Sequence, residues 1–344
     1  MRLKLIALSF IFFLSSVAGS AFAIEFRVLQ FNIWQEGTVI KGGFEAIVYE
    51  IIANKADIVT FSEVRNYNGT KFNERIIAAL KARGVNYYSF LSYDSGILSR
   101  FPIESYATTF PLKDDHGSVY KAIVNIGKRR IAVYTAHLDY LNAANYPPRG
   151  YDGNSWKPLS GKVSSLDEVL KMNLASQRDE AVQDILKDAA GERKKGNLVI
   201  IGGDFNEPSH LDWASDTKNM FDHNGLVVPW HNSIALEHAG FKDAYREKYP
   251  NPITHPGFTF PAFNKDIDIK KLIWAAGADD RDRIDFIYYL PKHGLKLKSI
   301  SIVGPSASVV NSKPLEETAA DTFIRPQNTW PTDHKALMAT FHVN

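Results

Sequence analysis

Short runs of apolar, often β-branched residues recur along the whole chain, at 25–33, 57–61, 96–99, 121–126, 131–136, 198–201, 284–290, 297–303 and 336–343. Runs of this length and make-up predict strands. Between some of them the apolar spacing changes to that of a helix: Phe44, Ile47, Val48, Ile51 and Ile52 form one stripe, and Phe72, Ile76, Ile77 and Leu80 another. Each stripe predicts a helix with one buried face. A longer, more polar helix is predicted over about Ser164 to Lys187, with Leu166, Val169, Leu170, Leu174 and Ile185 as its apolar positions. Strands outnumber helices and several follow one another directly. That pattern points to an α+β layered sandwich and away from a doubly wound parallel sheet.

Two stretches follow neither periodicity: Asp139–Gly161, dense in Tyr, Asn, Pro and Gly, and Glu207–Asn232. Irregular segments this long in a compact domain either serve function or are disordered. Tyr140, Tyr146, Tyr151, Trp156 and Trp213 favour ordered contact surfaces. The N-terminus has its own signature. Arg2 and Lys4 precede an almost wholly apolar run, Leu5 to Ala18, and small residues lead into Ala21-Phe22-Ala23. This predicts a secretory signal peptide, residues 1–23, cleaved after Ala23. The run is shorter than the ~20 residues of a spanning helix. The expectation is an exported protein, periplasmic or extracellular, with one domain at 24–344, no transmembrane segment in the mature chain and a monomeric state.

The chain carries 40 Lys+Arg against 38 Asp+Glu, and loss of Arg2 and Lys4 leaves the two signs equal at 38. A neutral chain has no global field to gather nucleic acid or anionic membrane, although a local basic groove is compatible with that balance. The basic clusters Lys128-Arg129-Arg130 and Arg193-Lys194-Lys195 fall at a predicted hairpin tip and a predicted helix end. Cysteine is absent, which excludes disulfides, thiolate nucleophiles and thiolate zinc sites.

Polar residues with chemical potential sit at strand ends. The run 198–208 reads Leu-Val-Ile-Ile-Gly-Gly-Asp204-Phe-Asn206-Glu-Pro, a buried strand that ends by presenting a carboxylate and a carboxamide two positions apart. Residues so spaced project to one side of an extended chain. The acid can orient and deprotonate a water while the amide donates to a developing oxyanion; a plain Asx turn closed by Pro208 explains the same residues. Thr332-Asp333-His334 precedes the last strand, and His137 ends another. An Asp beside a His can supply a metal ligand and a phosphate contact, yet such pairs are also common on solvated surfaces. Glu63 emerges from the strand at 57–61 next to Arg65, and its oxygens suit Mg²⁺, with Mn²⁺ as the variant, or a salt bridge. Asn32 ends the first strand and also suits a turn. Asp285, inside the apolar run Ile284–Leu290, is costly there unless paired.

In their joint order these blocks resemble the endonuclease/exonuclease/phosphatase superfamily. The blocks are Phe31-Asn32-Ile33-Trp34, Phe61-Ser-Glu63-Val64, Ser95-Gly-Ile-Leu-Ser-Arg-Phe-Pro-Ile103, Ala136-His137-Leu138, Gly203-Asp204-Phe205-Asn206, Arg283-Ile284-Asp285-Phe286 and Thr332-Asp333-His334. The resemblance implies a four-layer α/β/β/α sandwich, with two mixed β-sheets packed face to face, helices outside and a metal site at one edge. It implies Glu63 as the principal magnesium ligand, assisted by Asn32 and Asp333. It implies Asp204 as the residue that orients or deprotonates water, with Asn206 beside it, His334 held by Asp285 on the scissile phosphate, and His137 by the phosphate or leaving group. Thr332 stands where serine is usual. Asp282 is the alternative to Asp285 as the partner of His334.

The function so implied is magnesium-dependent hydrolysis of a phosphodiester or phosphomonoester. A secreted nuclease of the same fold and a catalytically silent binding module are the competing readings. For substrate contact the expected residues are Arg149, Tyr151 and Trp156, from the insertion after His137, and Phe258 in His255-Pro-Gly-Phe-Thr-Phe-Pro261, a stretch that also suits plain aromatic packing. The lack of a basic run interleaved with aromatics tilts the expected substrate toward a small-molecule or lipid phosphoester over nucleic acid.

Overall fold

The computed structural model describes residues 24–343; the predicted signal peptide lies outside the described residues. Two mixed sheets stack face to face. The first has seven strands, in spatial order Phe323–Ile324, Leu295–Val303, Ala336–Val343, Ile24–Asn32, Ile58–Val64, Asp94–Ser99 and Tyr88–Ser89. The second has six, in the order Ile103–Phe110, Gly117–Ile126, Arg129–Leu138, Leu198–Asp204, Asp285–Tyr289 and Lys242–Asp243.

Strand alternation sorts apolar side chains onto the two faces of each sheet. Phe26, Val28, Ile58, Val133, Ile200 and Leu337 interlock between the sheets. Leu29, Phe31, Val59 and Leu98 face outward instead, onto Ile47, Val48, Ile51, Ile76 and Leu80, which lie on the helices Gly43–Ala53 and Phe72–Lys81. On the far side Tyr134, Val199 and Phe286 are covered by Ala181, Val182, Ile185 and Leu236, from the helices Arg178–Lys194 and His231–His238. Helix, sheet, sheet, helix is the four-layer order implied by the resemblance.

The predicted helix over 164–187 is two helices, Leu166–Asn173 and Arg178–Lys194. Tertiary contacts break it. The Asp139 carboxylate accepts the Gln177 N–H at 3.0 Å, and the buried Arg178 guanidinium donates to the carbonyls of Asp139, Leu141 and Asn142. The second helix therefore starts where the insertion after His137 satisfies its first turn. Strand Ile103–Phe110 was not apparent in the pattern because it is a sheet edge whose middle residues are exposed.

Gly202 decides how close the sheets come under the site. A Cβ on Gly202 would collide with Thr60 Oγ1 of the opposite sheet, and one on Gly203 would lie 2.6 Å from the Ala136 carbonyl of the neighbouring strand in its own sheet. The missing side chain at Gly202 lets hydroxyls bridge the sheets. Ser62 Oγ donates to the Ala136 carbonyl at 3.0 Å and accepts the Asp204 N–H at 3.2 Å, and Thr135 Oγ1 donates to the Phe61 carbonyl at 3.0 Å.

Candidate active site

Strand register brings the polar ends together. His137 is paired with Asp204 across parallel strands, and Asp285 is paired with Asp204 across antiparallel ones. Asn32 ends the adjoining strand of the other sheet, beside Ser62. Glu63 interrupts its strand at a bulge between Ser62 and Val64 and takes φ of 68°. A bulge re-aims one side chain without ending the strand, and here it turns Glu63 into the cleft. The cleft measures about 330 Å³ and is lined by Glu63, His137, Asp204, Asn206, Asp333 and His334 together with an aromatic wall.

Asp204 is 1% exposed and sits at the centre. Its Oδ2 accepts the Asn32 amide at 2.9 Å. The same oxygen lies 3.8 Å from His334 Nε2 and 3.9 Å from His137 Nε2. Those gaps exceed a direct hydrogen bond but suit a single bridging oxygen atom. The other carboxylate oxygen accepts the Asn206 N–H at 2.9 Å, so the Asx turn foreseen as the simpler reading is present as well and fixes the acid's orientation. Burial first, then the Asp285 charge, pushes Asp204 up to about 6.

Each imidazole is held from behind by a carboxylate. His334 Nδ1 meets Asp285 Oδ2 at 2.9 Å, and Gln30 reaches the other Asp285 oxygen at 3.4 Å. Burial acts to lower the His334 pKa, but Asp285 and Asp204 outweigh it and raise it to about 10. His137 Nδ1 meets Asp94 Oδ1 at 2.9 Å. Burial opposes its charging too, and Asp94 chiefly overcomes this to give about 9. Both imidazoles are thus imidazolium-like at neutral pH, with Nε2 as the working edge.

Asp285, not Asp282, is the partner of His334. Asp282 is occupied elsewhere: Asn145 and Trp213 each donate to it at 2.9 Å, and Arg149 pairs with it. This corrects the expectation for Arg149, which is 2% exposed and faces the protein interior. Phe258 also misses the cleft, packed under the Arg281 guanidinium at 4.8 Å; Phe260 lines the cleft instead and leans on His334 with ring centroids 4.9 Å apart. Trp156 does line the cleft. Tyr151 stands behind it, its hydroxyl accepting the Gly277 N–H at 2.7 Å. Asn206 lines the cleft, with one amide hydrogen given to the Leu138 carbonyl at 2.9 Å. Asn32, expected to assist the metal, accepts the Trp34 N–H on Oδ1 and donates its amide to Asp204, which aligns the acid.

Asp94 escaped the sequence reading. It lies just outside the predicted strand at 96–99, at φ 69°, and its histidine is 43 positions away. Arg65, read as a possible partner of Glu63, pairs with Asp94 at 3.0 Å and with Asp115.

Two oxygen-rich groupings bear on cation binding. Glu63 and Asp333 both line the cleft, and Asp333 is raised to about 7 by burial, with the Glu63 charge adding to it. Two cleft-lining carboxylates, one of them pushed up in part by the other's charge, fit a hard divalent ion between oxygen donors. Asp204, Asp285 and His334 also offer one ligand atom each within 4.8 Å. In that trio His334 Nδ1 is already taken up by Asp285 Oδ2 at 2.9 Å, whereas Glu63 and Asp333 offer carboxylate oxygens on the cleft lining.

The model of the endonuclease/exonuclease/phosphatase family matches residues 29–334, from the strand that carries Asn32 through His334. The chain belongs to this family. Endonuclease/exonuclease/phosphatase proteins are hydrolases that act on phosphoesters and generally depend on a divalent metal. A Caenorhabditis elegans relative, the uncharacterized protein F14F9.5, is 26% identical over 92% of this chain and 90% of its own length. Among solved structures, D. rerio TDP2 complexed with single strand DNA product matches with a TM-score of 0.51 and 14% identity, over 92% of this chain and 98% of that one. TDP2 from C. elegans matches with the same TM-score at 17% identity, over 92% and 75%. At such identity the two structures share the sandwich fold.

Proposed function

We propose that this family member is an exported, magnesium-dependent phosphoesterase that hydrolyses a phosphodiester or phosphomonoester by attack of water. The observation that carries the reading is the Asp204 Oδ2 atom, held by Asn32 and faced by the Nε2 atoms of His334 and His137 at 3.8 and 3.9 Å. A carboxylate between two imidazolium edges is equipped to take a proton from a water while the imidazoliums neutralise charge growing on phosphoryl oxygens.

Asp204 orients the nucleophilic water and accepts its proton. Asn206 offers its remaining amide hydrogen to a phosphoryl oxygen. His334, fixed by Asp285, donates from Nε2 to the phosphate, and His137, fixed by Asp94, does so from the neighbouring strand or at the leaving oxygen. Glu63 and Asp333 would hold the Mg²⁺, which would supply charge neutralisation at the ester. Mn²⁺ satisfies the same oxygen donors.

A small-molecule or lipid phosphoester is the preferred substrate class. Among the described residues Arg65 is the sole lysine or arginine lining the cleft, and it is already paired with Asp94 and Asp115. Such a wall offers little to a long phosphate backbone. Among the described residues no helix is long and apolar enough to cross a membrane. The test is a panel of nucleic acids, phospholipids, sphingomyelin, inositol phosphates and nucleotides, assayed with Mg²⁺ and with chelator. Metal-dependent turnover of a small or lipid ester is expected. Inertness toward the whole panel removes the phosphoesterase reading, and preferential, salt-suppressed cleavage of DNA or RNA replaces it with a nuclease.

A further inference from the structure

The chain leaves its first strand through a strained turn. Trp34, Gln35 and Glu36 follow one another at φ 37°, 57° and 60°, in the left-handed region that residues with a side chain avoid, and Gly37 continues it at 69°. Such backbone persists only where its surroundings over-determine it, and it clusters at functional sites. This turn lies at the cleft, which Trp34 and Gln35 line. A left-handed turn presents successive backbone N–H groups to an acceptor. The Trp34 N–H donates to Asn32 Oδ1 and the Gln35 N–H to Glu63 Oε2, both at 2.9 Å. Glu63 is thus gripped at one oxygen by backbone.

The side chain that pins this turn is Glu36. It is 1% exposed, and the proposed chemistry makes no use of it. Its Oε1 accepts the Asn66 N–H, its Oε2 accepts the Thr70 hydroxyl at 3.4 Å, and Arg75 Nη1 lies 3.7 Å from that second oxygen. The Arg75 guanidinium is itself seated over the Phe44 ring at 4.1 Å. Asn66 is fixed in turn, donating to the Ser92 carbonyl at 2.6 Å and accepting the Phe72 N–H at 2.7 Å. Glu36 therefore ties the turn after Asn32 to the segment after Glu63, whose Arg65 and Tyr67 line the same cleft. A buried carboxylate is a costly way to fill space. What it supplies beyond an apolar side chain is a fixed direction for the backbone that carries it.

We propose that Glu36 is a positioning residue for the divalent cation. By locking the left-handed turn it keeps the Gln35 N–H on Glu63 Oε2, and so sets the direction in which the Glu63 carboxylate would meet the ion. Glu36 does not touch the ion. The inference rests on Glu63 as a cation ligand in the function proposed above, and groups that orient a metal ligand change affinity by about 10- to 100-fold when they are lost.

The test is calorimetric titration of Mg²⁺, and separately of Mn²⁺, into the purified metal-free protein and its variants, with Tm recorded on the same samples. E36Q keeps the size of the side chain and removes its charge; its affinity is expected to fall by about tenfold or more, and that of E36A further. V182A opens the core on the far side of the sandwich, where Val182 is fully buried; it lowers Tm and keeps the wild-type affinity. With bis(p-nitrophenyl) phosphate as substrate, the Mg²⁺ concentration for half-maximal rate rises in E36Q by the factor seen in binding, while kcat at saturating Mg²⁺ stays near that of wild type. A role in packing alone lowers Tm and leaves the affinity of folded E36Q unchanged, which overturns the proposal. Should both Glu36 variants fail to fold, the double variant T70V/R75M, which strips two half-buried partners from Glu36, carries the test: weaker Mg²⁺ binding supports the proposal and unchanged binding overturns it. A wild-type protein that binds neither ion removes the positioning role together with the cation site. Binding that E36Q weakens, without hydrolysis of any ester, supports the positioning role and counts against the phosphoesterase reading alone.

Discussion

At the residue scale, the site is governed by buried charge. Asp285 is fully buried, and a carboxylate there is tolerable because His334 and Gln30 occupy its oxygens. Asp285→Asn keeps the shape but removes the charge that does most to hold His334 near 10. The expected outcome is a kcat lower by about 10²-fold or more, as for loss of a transition-state donor, with the alkaline limb of the pH–rate profile moved to lower pH. The acid limb has a separate origin. Asp204 acts as base only when ionised, so activity is expected to fall as pH drops through about 6, with Mg²⁺ moving that limb lower. The histidines also link pH to stability. Their folded pKa values of about 9 and 10 exceed the ordinary 6.5, so their contribution is complete below 6.5 and is lost as pH rises through 9 to 10. Thermal melts of metal-free protein from pH 6.5 to 10 are therefore expected to show a falling Tm, flattened in His334→Gln.

At the scale of elements, the nine predicted strands and the two amphipathic helices were legible because burial on one face imposes a regular period. What was illegible depends on contacts remote in sequence. The bulge that aims Glu63 leaves no periodic trace, and the break before Arg178 is made by Asp139 and its neighbours across the fold. Asn32, Glu63, His137, Asp204, Asn206, Asp285, Asp333 and His334 could be named from strand ends and the family's order, whereas Asp94 could not. The insertions were recognised as ordered, but their charges were misread. Arg149 suggested a substrate clamp, yet it pins three segments together through Asp282, Asn145 and Trp213. Asp282→Ala leaves that guanidinium buried and unpaired, and the expected loss is about 3–5 kcal/mol, read by denaturant unfolding. Its pH–rate profile should keep the His334 limb that Asp285→Asn moves.

At the scale of the whole molecule, two sheets from opposite halves of a sandwich supply one site. Asn32, Glu63, Asp333 and His334 belong to the seven-stranded sheet and its flanking loops, and His137, Asp204 and Asp285 to the other. Close approach of the two sheets over Gly202 is what lets them meet. The near balance of 40 Lys+Arg against 38 Asp+Glu fits a function in which local carboxylates and a bound cation, and not a global field, attract the ester. Export belongs to the proposed function; detection of mature protein beginning at Ile24 in a periplasmic or medium fraction is its expected outcome.

The most direct test of the central claim is the hydrolysis of bis(p-nitrophenyl) phosphate by the purified protein and by Glu63→Ala, Asp204→Ala and His334→Ala, with Mg²⁺ binding followed calorimetrically on the same samples. The account predicts that each substitution lowers kcat/KM by about 10²-fold or more, and that only Glu63→Ala also weakens Mg²⁺ binding strongly. Wild-type turnover that survives in folded Asp204→Ala or His334→Ala would contradict it.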